Sequence, residues 1–218
     1  MQEPSYFKTP QGRRLAYHVT PGAGPWVVFL GGLKSDMEGT NALHLEAWAK
    51  ASGHAFLRFD YSGHGLSSGT FEEGCIGDWA EDTYEILSAL TQGPIVPVGS
   101  SMGGWQALLL ARRLSARIVG MVTIAAAPDF TEDGYWASFS TTQKAQLEHD
   151  GFVEIPSDYM EPYVISKRMI EDGRNQLVLR DPLVLDFPVR CLQGTADTAV
   201  STETAVRQLE HATSPDLR

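Results

Sequence analysis

The sequence predicts an α/β fold with a mostly parallel central sheet flanked by helices. Two observations carry this: short, nearly continuous apolar runs recur along the chain, and amphipathic helical patterns lie between them. Length sets the scale, since 218 residues are enough for one domain with a substantial core and too few for two independent ones.

Taken in order, residues 13–19 (RRLAYHV) alternate between apolar and polar and suit an edge hairpin strand. Residues 26–30, 55–60, 95–98, 118–125 and 189–192 are the apolar runs expected of strands buried on both faces. Between them, Trp79, Thr83, Ile86, Leu87 and Leu90 fall on one helical face, and so do Trp105, Leu108, Leu109 and Leu114. Ala205, Val206 and Leu209 mark a shorter helix near the end. Residues 129–186 break the rhythm with irregular sequence in which Tyr135, Trp136, Phe139, Phe152, Tyr159 and Tyr163 are interleaved with acidic residues and prolines. An insertion of that length reads as a lid over a binding site, with Tyr135, Trp136 and Phe139 as candidate substrate contacts; the alternative is a subdomain whose aromatics only pack on the body. The expected organisation is a core of residues 1–128 and 187–218 with a cap of residues 129–186.

Composition excludes several function classes. Seventeen Lys and Arg against twenty-seven Asp and Glu give a net charge of −10, which repels phosphate backbones and anionic membrane surfaces, so no nucleic-acid partner is expected. No apolar run is long enough for a membrane span, and the first twenty residues have neither a signal-peptide core nor a transit-peptide pattern, so a cytoplasmic location is expected. Cys75 and Cys191 share no metal-type spacing and read as reduced thiols. There are no internal repeats.

The chemistry centres on VPVGSSMGGW, residues 97–106. Gly99-Ser100-Ser101-Met102-Gly103 fits G-x-S-x-G with Ser101 at the centre, between an apolar strand and an amphipathic helix. A turn that sharp strains the central residue and raises its hydroxyl at the carboxyl end of the sheet, beside a helix N-terminus whose dipole favours negative charge. Ser100 reads as a small spacer. Phe29-Leu30-Gly31-Gly32-Leu33 ends another strand in a glycine pair, so the Leu33 and Met102 amides are candidate oxyanion donors; an ordinary turn is the alternative. Asp60-Tyr61-Ser62-Gly63-His64-Gly65-Leu66-Ser67 suits a tight turn bordering the site, with His64 structural rather than a base. Asp197, just past the strand at 189–192, is favoured as the acid over Asp129.

A glycine pair after a strand, D-Y-S-G-H-G-x-S, G-x-S-x-G and G-x-x-D, in this order, resemble the α/β-hydrolase superfamily across nearly the whole chain. The strings FLGGLKSDMEGT, FDYSGHGLSSG, VGSSMGGW and APDFTED are most similar to its branch of mitochondrial palmitoyl-protein thioesterases, which also act as acyl-glucuronide esterases, and their bacterial relatives. The resemblance implies a cofactor-free, metal-free serine hydrolase acting on an acylated small molecule or acyl-protein, with nucleophile Ser101, acid Asp197 and oxyanion donors at Leu33 and Met102. In this order the histidine follows the acid after one further strand. Only His211 lies there, near the end of a helix, and it reads as a residue of the helix C-terminus, where a cation is welcome. The expectation is that the base lies on a continuation of roughly 25 to 35 residues beyond Arg218, and that this chain alone turns over poorly. The strand at 189–192 is then expected to be a bare sheet edge through which copies dimerise. A non-catalytic binding protein, or an aminopeptidase or carbon–carbon hydrolase of the same fold, are the competing readings.

Overall fold

A computed structural model describes residues 3–156 and 162–218; Tyr159, one of the aromatics expected in a cap, lies outside the described residues. The main sheet has seven strands in the order β1 (Ser5–Lys8), β2 (Arg14–Thr20), β4 (His54–Phe59), β3 (Ala23–Leu30), β5 (Ile95–Ser100), β6 (Met121–Ile124) and β10 (Val189–Leu192). From β4 onward every pairing is parallel, while β2 runs antiparallel to both neighbours. The alternating segment is therefore the second strand, not the edge. The edge is β1, four mostly exposed residues too short to register as an apolar run.

The central strands lack alternation because both faces are covered. On one face Val27 and Phe29 of β3, Phe56 of β4 and Val98 of β5 pack on Ala42 and Ala49 of α1 (Thr40–Ser52). On the other, Val28, Leu30 and Leu57 join Trp79, Ile86 and Leu87 of α2 (Ile76–Leu90) and Trp105 and Leu108 of α3 (Met102–Leu114). Successive residues of one strand thus serve opposite layers. The strand expected at 118–125 is cut to Met121–Ile124: Ile118 keeps one bridge to Ile95, and Ala125 turns out of the sheet at φ 45°.

The inserted segment is more regular than its sequence suggests. It holds a π-helical turn, Thr131–Trp136, then α4 (Thr141–Asp150), opened by a reciprocal Ser140–Gln143 capping box. An antiparallel pair, β7 (Phe152–Ile155) and β8 (Tyr163–Ser166), leads into α5 (Lys167–Asn175). A small second pairing joins β9 (Leu183–Val184) to β11 (Ala212–Thr213), which follows α6 (Thr202–His211).

Two expectations near the end need correction. The β10 edge is not bare: the Val189 and Cys191 amides donate to the carbonyls of Asp216 (2.9 Å) and Arg218 (2.7 Å), and Arg218 N–H returns to Val189 at 3.1 Å. In α6 the buried residue is Gln208, whose amide contacts Thr123 Oγ1 and Cys191 Sγ at 3.3 Å, while Val206 is 51% exposed. A polar anchor takes the place of the apolar stripe because the helix rests on the polar and sulfur side chains of β6 and β10. Among the described residues no helix is long and apolar enough to cross a membrane.

Candidate active site

Ser101 stands between the last residue of β5 and the first of α3, at φ 52° and ψ −120°. A non-glycine side chain is strained there, so the surroundings must hold it. They do: Ser101 N–H donates to Ile124 (2.9 Å), and its carbonyl accepts from Gly104 (2.9 Å) and Ala127 (3.0 Å). The flanking glycines permit the approach, since a β-carbon on Gly103 would sit 2.5 Å from the Leu30 carbonyl carbon. Among the described residues nothing hydrogen-bonds the Ser101 hydroxyl. Ser100 also borders the site, but as the end of a regular strand it lacks the strained turn.

Ser101 opens into a cavity of about 1080 Å³. The loop after β3 lines it through Gly32, Leu33 and Ser35, and the start of α1 through Asn41; the inserted segment supplies Phe130, Tyr135 and Tyr163, and Val200 lines it from the chain after β10. Gly32 lies against Ser101: a β-carbon there would lie 3.3 Å from Ser101 Cβ. The amides of Leu33 and Met102 have no acceptor among the described residues, and the Met102 side chain is fully buried in the core, so only its main chain is available to the site.

Of the three aromatics expected to contact substrate, only Tyr135 lines the cavity. Phe139 stacks behind it with ring centroids 6.3 Å apart, and Trp136 faces away between the cations of Lys144 (4.9 Å) and Arg174 (4.6 Å). The π-helical turn is the cause. Its i to i+5 repeat brings Phe130, Gly134 and Tyr135 to the cavity and keeps Trp136 off it, a register that a 3.6-residue pattern does not anticipate. For that reason the sequence does not reveal Phe130, which extends the chain of rings from Trp105 (5.5 Å) to Tyr135 (5.3 Å). Burial pushes the Tyr135 phenol up to about 12.

The two candidate acids have different surroundings. Asp129 is fully buried at φ 61°, and both its oxygens are committed: Oδ1 accepts Val178 N–H (2.8 Å), and Oδ2 accepts Leu179 N–H and Arg180, each at 3.0 Å. It braces residues 178–180, after α5. Asp197 is half-buried, and one oxygen, Oδ1, accepts the Ala199 (2.9 Å) and Val200 (3.0 Å) amides, two residues that line the cavity. His211 stays on α6 with Nδ1 against the Arg207 carbonyl at 2.9 Å, and none of the six histidines lines the cavity. His64 is buried, its Nδ1 on the Ser62 carbonyl (3.2 Å) and its Nε2 on Lys34 N–H (3.1 Å).

A family model for the alpha/beta hydrolase fold matches residues 25–161. The chain belongs to the α/β-hydrolase family. This α/β-hydrolase is 35% identical to the mitochondrial palmitoyl-protein thioesterase ABHD10 of Bos taurus over 98% of its own length and 70% of the relative's. The solved structure of alpha/beta hydrolase domain-containing protein 10 from mouse superposes with a TM-score of 0.90 at 30% identity, covering the whole of this chain and 87% of that one. A protein of Agrobacterium vitis S4 that carries a hydrolase name gives a TM-score of 0.94 at 37% identity, over 99% of this chain and 87% of the other.

Proposed function

We propose that this α/β-hydrolase cleaves acyl thioesters or carboxylic esters through an acyl-enzyme on Ser101. The observation that carries the reading is the strained Ser101 turn on a cavity that Phe130, Tyr135 and Tyr163 also line. Relatives named palmitoyl-protein thioesterases support an acyl chain lying along Phe130, Tyr135 and Tyr163. In the first step Ser101 Oγ gives its proton to an imidazole base and bonds to the acyl carbon, the carbonyl electron pair moves to oxygen, and the Leu33 and Met102 amides hold that oxyanion. Collapse breaks the bond to sulfur or oxygen, and the base returns the proton to the leaving group as it departs. Water then repeats the attack on the acyl-enzyme and releases the acid. Asp197 is the acid that would orient an imidazole between itself and Ser101.

A second reading, a hydrolase-fold protein that binds without turnover, is favoured by one observation: no histidine lines the cavity. A fluorophosphonate probe and a panel of acyl thioesters and esters separate the two. Labelling and thioester cleavage that both disappear in Ser101→Ala support the hydrolase. A protein that binds acyl ligands yet neither labels nor cleaves is the binding module.

A further inference from the structure

Outside the reacting groups, one buried histidine is tied to the wall facing Ser101. His64 is 4% exposed, and the rings of Tyr61, Phe71 and Trp79 meet its edges and faces with centroids 5.0 to 5.6 Å away. Its two nitrogens have opposite tasks. Nδ1 faces the Ser62 carbonyl, which can only accept, so Nδ1 carries the hydrogen and donates. Nε2 receives the Lys34 amide, so it is bare. The ring is a neutral imidazole in a single tautomer, and burial, which pulls its pKa down to about 4, keeps it so.

That ring is itself held from below. The Asp82 carboxylate, fully buried and paired with Arg13 at 2.6 Å, accepts both the Ser62 amide (2.8 Å) and the Ser62 hydroxyl (2.6 Å). Trp79 Nε1–H donates to the same Ser62 carbonyl at 3.0 Å. The glycines beside His64 are needed for this packing: a β-carbon on Gly63 would lie 2.6 Å from the Thr70 carbonyl oxygen, and one on Gly65 would lie 2.5 Å from Asp60 Cγ. Asp60 in turn accepts the Met37 amide at 2.6 Å. Two buried acceptors thus pin the loop after β3, at Lys34 and at Met37. Lys34 is a non-glycine residue at φ 57°, a conformation that would relax without a partner for its amide.

We propose that His64 is a positioning residue for the oxyanion hole: bare Nε2 fixes the Lys34 amide, and this fixes the adjacent Leu33 N–H toward the oxygen formed at Ser101. The inference rests on the reading of Leu33 as an oxyanion donor. Loss of a whole donor costs on the order of 10²- to 10³-fold, so a misaimed one should cost less, about tenfold or more.

An alkylboronic acid tests this without turnover. Its boron bonds to Ser101 Oγ and becomes tetrahedral, the serine proton leaving to solvent, whereas the corresponding alkyl amide binds as a ground-state ligand. Their affinities are compared in the unmodified protein, Ser101→Ala, His64→Phe (a ring with no acceptor) and His64→Gln (one acceptor kept), with amide exchange across residues 31–37 followed in each. The expected result is a boronate affinity at least about tenfold lower in His64→Phe, with amide affinity little changed, faster exchange at Lys34, and partial recovery in His64→Gln. Equal loss of both ligands, an unchanged boronate affinity in folded His64→Phe, or a loss in folded His64→Gln as large as that in His64→Phe, would overturn the positioning role. Equal boronate binding by the unmodified protein and Ser101→Ala would instead remove the hydrolase reading on which it rests.

Discussion

Gly99 and Gly103, on either side of Ser101, are packed backbone to backbone: a β-carbon on Gly99 would stand 2.5 Å from the Gly103 carbonyl carbon. The crossing of β5 and α3 therefore leaves no room for a side chain at either glycine, and Ser101 is carried outward at the apex. Ala substitution at Gly99 or Gly103 should cost about 1 to 3 kcal/mol or more through overpacking and should abolish fluorophosphonate labelling. Gly31, where a methyl group would meet nothing within 4 Å, is the control and should keep its urea midpoint. An unchanged midpoint for Gly103→Ala would contradict this account of the turn.

The two candidate acids should separate by stability. Asp129→Ala leaves the Val178 and Leu179 amides buried without an acceptor, while Arg180 keeps Asp133, so the loss should be roughly 2 to 5 kcal/mol on the scale of two unsatisfied buried donors. Asp197→Ala frees two loop amides of which only that of Val200 is in a buried residue, and should cost about 1 kcal/mol. Denaturant unfolding of the two variants checks the order. Comparable losses would mean that Asp129 is not the brace its contacts describe.

Much of this is legible in the chain itself. Strands buried on both faces announce themselves as unbroken apolar runs, and the Ser101 turn has a local signature because only small residues fit beside it. The inserted segment is harder to read. Its contacts depend on a π-helical turn whose one extra residue changes which aromatics face inward, so the sequence points to Tyr135 and passes over Phe130. The role of Gln208 is invisible for a related reason: a polar residue anchors α6 by meeting Thr123 and Cys191, partners far away in sequence. The two flanking glycines mark His64 as structural, but its bond to Lys34 joins segments thirty residues apart.

His64 and Asp60 should drive stability in opposite directions with pH. Burial lowers His64 from 6.5 to about 4, so its contribution is full above pH 6.5 and is lost as pH falls toward 4. Burial, aided by Asp36 and Glu38, raises Asp60 from 3.8 to about 6 against the pull of the Leu66 and Met37 amides. Its contribution is full below pH 3.8 and is lost as pH rises through 6. Each effect amounts to about 3 kcal/mol across its window, so they nearly cancel in the unmodified protein between about pH 4 and 6. Relative to that protein, His64→Gln should lose stability as pH rises through this interval, and Asp60→Asn should lose it as pH falls. Urea midpoints measured at both ends give the slopes; parallel curves for all three proteins would refute the opposition.

The cavity beside Ser101 should accept a base from solution. None of the six histidines lines it, and in comparable triads loss of the histidine lowers turnover by about 10⁶-fold, chiefly because the serine keeps its proton. A space of about 1080 Å³ holds a small imidazole together with an acyl group, and free imidazole is half neutral near pH 7, where it can take that proton. Thioester cleavage by residues 1–218 should therefore rise with imidazole concentration and follow its neutral form. Imidazole cleaves thioesters unaided, so the quantity to measure is the excess rate over Ser101→Ala under identical conditions. A saturable excess, absent with a base too bulky for the cavity, is the expected outcome. If the two proteins gave the same rate at every imidazole concentration, Ser101 would not be a nucleophile that lacks only a base, and the binding reading would gain.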